Sequence, residues 1–233
     1  MQESRIRVMT WNVHSCIGND GRLDPERVRD LIRAINPDVA ALQEVDSRRD
    51  QRDGFDLLGN CLVDGFGEHR AEVRTVRTVD GDYGHMLLSR RAMNEWVCHD
   101  VSTPRRELRF LIEARVETDD GEISVLAAHL GLSRRERRYQ ADKLAALAAA
   151  DNLPTVILGD FNEPTGMGAA TRRLRRTFAN TGRRATWPSR WPFLPLDRIW
   201  FESSLELLDS DVYRPARHAS DHLPLWADFR LRA

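Results

Sequence analysis

The feature that most constrains this chain is a set of short polar motifs that recur from one end of it to the other. They are Thr10-Trp11-Asn12-Val13-His14, Leu42-Gln43-Glu44-Val45, Gly159-Asp160-Phe161-Asn162 and Ser220-Asp221-His222-Leu223-Pro224-Leu225, with Leu196-Asp197-Arg198-Ile199 between the last two. Each joins a run of strand-forming residues to carboxylates, amides or imidazoles. A hard divalent cation needs oxygen ligands from Asp, Glu and Asn, and a phosphate ester needs hydrogen-bond donors and a positioned water. A site assembled from both ends of a chain requires one domain, so residues 1–233 read as a single domain.

A chain of 233 residues is long enough for one large core or two small ones. No apolar run approaches the ~18 residues of a membrane span. Met1-Gln2-Glu3-Ser4-Arg5 leads straight into a strand pattern, without the basic and apolar segments of a secretory signal. Cys16, Cys61 and Cys98 are odd in number and lack metal-ligand spacing, which fits reduced thiols. A cytoplasmic monomer is therefore expected. The formal charge of −1 conceals 34 arginines and a single lysine, Lys143. A near-neutral chain lacks the field of a typical non-specific DNA binder, so a nucleic-acid partner would need a local basic patch.

Residues 5–13 alternate as a strand. Asp24-Pro25-Glu26 opens a helix with an N-cap acid and a first-turn proline, and Val28, Leu31, Ile32 and Ile35 share one face of it. Asn36-Pro37 ends that helix, and residues 38–42 form a buried strand. The polar stretch 46–83 is expected to hold a short helix and a strand near residues 72–79. Strands follow at 86–89 and 96–101. Residues 110–116 and 123–128 flank Asp119-Asp120-Gly121, a hairpin signal. Ser133-Arg134-Arg135-Glu136 matches a capping box and opens an alanine-rich helix to residue 150. A strand at 155–158, a basic helix at 169–178, a Pro- and Trp-rich loop at 186–195 and strands near 198–201, 205–213 and 225–229 complete the chain. No linker, repeat or low-complexity tract interrupts it. Strands outnumber helices, which suggests two packed sheets covered by helices on the outside.

Taken singly, each motif has an ordinary structural reading. An Asp/Asn turn caps strands, and a lone histidine is often a satisfied core residue. By the strand period of two, Asp160 and Asn162 point to one side, as do Asn12 and His14. Asp197 is placed to orient His222, since a carboxylate on one ring nitrogen fixes the tautomer and raises basicity. His129 ends a strand just before a glycine, and the arginines from Arg134 to Arg138 open the next helix. What outweighs the separate readings is that five strand ends carry such groups together, and sites are built at the edges of sheets.

With these motifs in this order, the chain resembles the endonuclease/exonuclease/phosphatase superfamily, which includes pancreatic-type deoxyribonucleases, abasic-site endonucleases, neutral sphingomyelinases and inositol polyphosphate 5-phosphatases. The resemblance runs from about Arg5 to Phe229, and Gly159-Asp160-Phe161-Asn162 and Ser220-Asp221-His222 are its most specific signatures. It implies an α/β (α+β) fold, the DNase I-like four-layer sandwich with two mixed sheets inside. It also implies Mg²⁺- or Mn²⁺-dependent phosphoester hydrolysis, with phosphodiesters as the expected substrates. DNA cleavage, or action on lipid or small-molecule phosphates, is the alternative. Glu44 matches the principal magnesium ligand, with Asn12 beside it, and Asp221 a second metal-side carboxylate. Asp160 matches the acid that positions or deprotonates water, and Asn162 an amide on the phosphate. His222, oriented by Asp197, matches the histidine that stabilises charge or acts as base. His129 matches a histidine serving the leaving group. Two departures stand out: His14 replaces the aspartate usual in abasic-site endonucleases, and His85, in Tyr83-Gly84-His85-Met86, stands where asparagine is more common.

Overall fold

The computed structural model of the chain describes residues 5–48, 55–64, 66, 69–150 and 152–232. Among these residues, twelve strands form two mixed six-stranded sheets. One sheet takes, in order, β11 (Leu205–Val212), β12 (Leu225–Leu231), β1 (Ile6–Asn12), β2 (Val39–Asp46), β4 (Gly81–Ser89) and β3 (His69–Thr78). The other takes β5 (Met93–Asp100), β6 (Phe110–Thr118), β7 (Gly121–His129), β8 (Thr155–Asp160), β10 (Asp197–Phe201) and β9 (Ala179–Asn180). Each sheet contains a parallel pair, β1 with β2 and β7 with β8. Parallel neighbours need a crossover, and α1 (Pro25–Ile35) and α3 (Arg134–Ala150) supply them. Two shorter helices, α2 (Phe55–Val63) and α4 (Ala169–Leu174), complete the outer layers.

The strand period sorts apolar residues into three cores. Ile6, Val8, Ala41, Leu87, Ile112, Val125, Leu158 and Ile199 fill the space between the sheets. Their alternate neighbours Met9, Trp11, Ala40, Leu42 and Met86 face α1 and α2, which contribute Val28, Ile32, Leu58 and Leu62. Leu126, Ala128, Ile157 and Trp200 face Ala141 and Leu144 of α3 and Leu174 of α4. The four layers are thus a direct consequence of two-sided strands, each face covered. The caps behave as the sequence predicts. Asp24 accepts from the Arg27 backbone N–H at 2.9 Å. Ser133 and Glu136 exchange reciprocal bonds of 3.2 and 3.1 Å.

Boundaries differ in several places. The strand expected at 86–89 begins five residues earlier, at Gly81, because it pairs with the whole of β3. The basic helix stops at Leu174 rather than residue 178. The two-residue β9 carries no sequence pattern.

Candidate active site

Following the strand period one step beyond the central core leads to the site. In β1 the inward series Ile6, Val8, Thr10 ends at Asn12. In β7 it runs Val125, Ala127, His129, and in β8 Val156, Leu158, Asp160. Read backwards from Phe201 and Ile199, β10 ends at Asp197, and β4 runs back from Leu87 to His85 and Tyr83. The candidate active site is the polar end of the inter-sheet core. Register aligns part of it directly, with His129 opposite Asp160 and Asp160 opposite Asp197 on three adjacent strands.

Glu44 breaks this rule and arrives by other means. The alternation of Val39, Ala41 and Gln43 would turn Glu44 outward. The pairing of β2 with β4 slips between Leu42 and Val45, and Glu44 adopts φ +56°. A bulge of this kind re-aims a side chain. The neighbouring Gly84 leaves no room for more, since a Cβ there would lie 1.8 Å from the Val73 carbonyl oxygen. His14, Ser15 and Asn162 also have positive φ. Strained backbone is concentrated at this edge, as it often is at functional sites.

The side chains meet. Asn12 Nδ2 donates to Glu44 Oε1 at 2.9 Å and to Asp160 Oδ2 at 3.1 Å, bridging the two sheets. His222 Nδ1 lies 2.8 Å from Asp197 Oδ2, and its Nε2 lies 3.9 Å from Asp160 Oδ2. His129 Nε2 is 3.7 Å from the same oxygen and 4.0 Å from Glu44 Oε1. His14 Nδ1 sits between two carboxylates, 3.7 Å from Glu44 Oε2 and 3.5 Å from Asp221 Oδ1. Trp187 Nε1 donates to Asp221 Oδ2 at 3.1 Å, which brings the 186–195 loop to the site. Ser220 Oγ donates to the Asn12 carbonyl at 2.7 Å and ties the last motif to the first.

Electrostatics separates these groups. Burial drives Asp160 up from 3.8 to about 6, against the pull of His222. Burial pushes Glu44 the same way, but the hydrogen bond from His14, the His129 ring and the Asn12 amide outweigh it and hold Glu44 at about 2. Burial opposes a proton on His222, yet Asp197 overrides it and lifts the imidazole to about 10. The hydrogen bond to Glu44 raises His14, with Asp221 adding to it. Burial, with the Arg109 charge, lowers His129 well below its ordinary value and His85 to about 4. At neutral pH the edge therefore holds an ionised Asp160 beside a protonated His222 and a neutral His129.

Two sequence expectations need correction. Asn162 does not share a side with Asp160 through strand alternation, because β8 ends at Asp160. The chain turns left-handed at Asn162 (φ +48°), and its Nδ2 donates to the Leu130 carbonyl at 2.9 Å. Likewise β1 ends at Asn12, and His14 begins a 3-10 turn, reaching Glu44 from outside the strand. Asn12 presents its amide nitrogen to the carboxylates while its oxygen accepts from the His14 backbone N–H at 3.1 Å. Asp197 pairs with His222 as the sequence suggests. Arg109 is the residue that sequence reading missed. It is buried, its Nη2 donates to Glu107, and its Nε has no partner. One arginine among 34 gives no signal in the sequence; only its position beside His129 and His85 does.

The donor set suits a hard divalent cation. Glu44 and Asp221 present carboxylate oxygens on either side of His14, whose raised imidazole already answers their charge. Oxygen ligands of this kind select Mg²⁺ or Mn²⁺. Asp160, Asp197 and His222 also offer ligand atoms within 4.8 Å of one another. Asp197 Oδ2 and His222 Nδ1 are already joined at 2.8 Å, which reads as an acid-base pair beside a carboxylate, although the buried Asp197 Oδ1 has no partner.

The Endonuclease/Exonuclease/phosphatase family model matches residues 9–222, and the chain belongs to that family. Its members are phosphoester hydrolases that generally use divalent metals. The chain is 27% identical to the uncharacterized protein YbhP of Escherichia coli K12, covering 99% of this chain and 98% of that protein. The fold is shared with an endonuclease/exonuclease/phosphatase of Beutenbergia cavernae (TM-score 0.76, 23% identity, 98% of this chain and 72% of that one). It is also shared with the catalytic domain of human nocturnin, solved with a sulfate anion (TM-score 0.76, 20% identity, 98% and 94%). Among the described residues, no helix is long and apolar enough to cross a membrane.

Proposed function

We propose that the protein is a Mg²⁺- or Mn²⁺-dependent phosphodiesterase that hydrolyses its substrate by in-line attack of water. The observation that carries this reading is Asp160. It is buried, flanked in register by His129 and Asp197, and bridged through Asn12 to Glu44. Glu44 and Asp221, with Asn12 adjoining, would hold the cation. When bound, it supplies Lewis-acid polarisation of a non-bridging phosphoryl oxygen.

Asp160, ionised at neutral pH, aligns the attacking water and accepts its proton as the oxygen–phosphorus bond forms. His222 carries a proton that Asp197 secures, and it stabilises charge on the phosphoryl oxygens or passes that proton to the departing oxygen as the ester bond breaks. Neutral His129 donates one N–H. The site holds three carboxylates, Glu44 and Asp221 at the rim and Asp160 buried behind them, and the part of their charge that His14 and His222 leave uncompensated repels a doubly charged monoester more than a singly charged diester. That favours a diester substrate. Phosphate-ester hydrolysis needs accelerations reaching about 10¹⁷-fold or more, so positioning and preorganised charge must act together.

Nuclease action is the second reading, and the exposed Trp191 and Phe193 on the loop that touches Asp221 favour it, because aromatic rings stack on bases. The test is hydrolysis of bis-p-nitrophenyl phosphate with Mg²⁺ or Mn²⁺, with and without chelator. Plasmid DNA, abasic duplex, sphingomyelin and inositol phosphates would follow. Turnover that survives Asp160→Ala or His222→Ala rejects this site.

A further inference from the structure

α3 and α4 leave the catalytic edge side by side. α3 starts just beyond His129, and α4 follows the loop that leaves Asp160 at the end of β8 and carries Asn162. A cleft of about 550 Å³ between them is lined by Arg134, Arg135, Arg138, Arg172, Arg173 and Arg176. Asp142 is the sole acid of that lining and pairs with Arg173 at 2.8 Å. Arg172 donates to the Met167 carbonyl. The side chains of Arg134, Arg135, Arg138 and Arg176 make no hydrogen bond or ion pair with any described residue. A chain whose formal charge is −1 thus gathers five uncompensated positive charges in one concavity.

An ordinary solvated helix face disperses its arginines, whereas a cleft focuses their field on whatever enters it. Guanidinium forks match phosphate oxygens two at a time. The volume lies within the range of about 300–1,000 Å³ typical of ligand sites. The cleft is also fixed relative to Asp160. Asn162 holds the Leu130 carbonyl, Gln140 Oε1 accepts from the Gly131 N–H at 2.8 Å, and Glu163 accepts from the Ala170 and Thr171 N–H groups at 3.2 and 2.8 Å.

We propose that the α3–α4 arginine cleft is an accessory anion site for closely spaced phosphates, holding those of a substrate that are not being hydrolysed. Its role in catalysis rests on the phosphoesterase reading above; its binding does not. In the sheet, β8 lies between β7 and β10. The exposed Trp191 and Phe193, 82% and 66% accessible, stand on the loop that precedes β10, and the arginines stand on the helices that follow β7 and β8, so Asp160 is flanked in the chain by both. A stacking surface followed by a basic groove suits a single strand of nucleic acid. Free polyphosphate shares the phosphate chemistry alone.

The experiment uses the full chain with Arg135→Glu, Arg138→Glu and Arg176→Glu combined, all three being exposed. Binding of a fluorescein-labelled oligothymidylate is followed by anisotropy in EDTA at several salt concentrations, with inorganic tripolyphosphate as competitor. The triple variant is expected to bind at least about tenfold more weakly, with a salt slope shallower by about 2, since each lost phosphate contact on a single strand removes about 0.7. Hydrolysis of bis-p-nitrophenyl phosphate, which has one phosphate, stays within about twofold of wild type. Competition by tripolyphosphate assigns the site to multiple phosphates in general, and its absence assigns it to the strand. Unchanged oligonucleotide affinity and salt slope in the variant overturn the proposal, as does wild-type binding to phosphatidylserine vesicles but to neither phosphate ligand. Failure of the catalytic reading shows separately, as no turnover of bis-p-nitrophenyl phosphate by wild type with either metal.

Discussion

Asp197→Asn removes one negative charge and keeps the side-chain shape. Asp197 is 1% exposed, and its Oδ2 is bonded to His222 Nδ1 at 2.8 Å. Without that carboxylate, burial opposes the proton on His222 with only Asp160 and Asp221 left to favour it, so the imidazole should hold its proton less strongly. Breaking a buried pair by removing one partner costs about 3–5 kcal/mol. The rise of His222 from 6.5 to about 10 points to the same range, at about 1.4 kcal/mol per pKa unit. The folded-state value lies above the unfolded one. The pair's stabilisation is therefore complete below pH 6.5 and disappears as pH climbs through about 10. Urea denaturation in EDTA, followed by the fluorescence of the buried Trp11 and Trp200, should show the variant weaker by about 3 kcal/mol at pH 6, with the gap closing by pH 10. Turnover of bis-p-nitrophenyl phosphate at pH 7 should fall by about 10²–10⁴-fold. An equal stability loss at both pH values, or turnover within about threefold of wild type, would refute the assignment of His222 and Asp197 as a charged pair.

Three further outcomes are expected. Gly159 has φ +154°, and a Cβ there would lie 1.9 Å from the Ala128 carbonyl oxygen; Gly159→Ala should force β7 and β8 apart, lowering stability by about 2–4 kcal/mol and turnover with it, as thermal denaturation and the same assay would show. The raised Asp160 favours the folded state while it is protonated, so metal-free wild type should lose stability as pH passes from 3.8 through about 6; Asp160→Asn should flatten that part of the denaturation profile and abolish turnover. Glu44→Gln should raise the Mn²⁺ concentration for half-maximal activity by about tenfold or more, and should lower the urea midpoint in EDTA at neutral pH, because an acid held at about 2 favours the folded state once it is ionised in both states.

Much of this site is legible because β-strands alternate. Asn12, His129, Asp160 and Asp197 each occupy the next inward position after an apolar series, so sequence alone places them at strand ends facing a common interior. The limits are equally physical. Period-two reasoning fails one residue past a strand, which is why Asn162 and His14 arrive by left-handed turns instead. Glu44 would face outward by alternation, and only the slipped pairing with β4 delivers it. Slips depend on the partner strand, and neither β4 nor its Gly84 is visible from the Glu44 motif. Arg109 enters through tertiary packing alone. Its backbone is pinned by Ser102, whose Oγ accepts from the Arg109 N–H at 3.0 Å, a contact no local pattern encodes.

The two carboxylates that share Asn12 show how one fold separates chemical roles. Glu44 and Asp160 each accept from the same amide nitrogen, yet one is held at about 2 and the other raised to about 6. Glu44 stands at the mouth, where its side chain is 26% exposed and His14 compensates its charge. Asp160 is 2% exposed and lies opposite the still deeper Asp197 on the adjacent strand, whose charge helps to raise it. A permanently ionised acid at the rim suits cation binding, and an acid raised toward neutral pH suits proton transfer. Exchanging the two environments would leave every residue type in place and remove the division of labour. The bulge at Glu44 is therefore as much a part of the chemistry as the carboxylate it carries: it turns that acid from the outer face of its sheet to the mouth of the site, short of the dry inter-sheet space that Asp160 occupies.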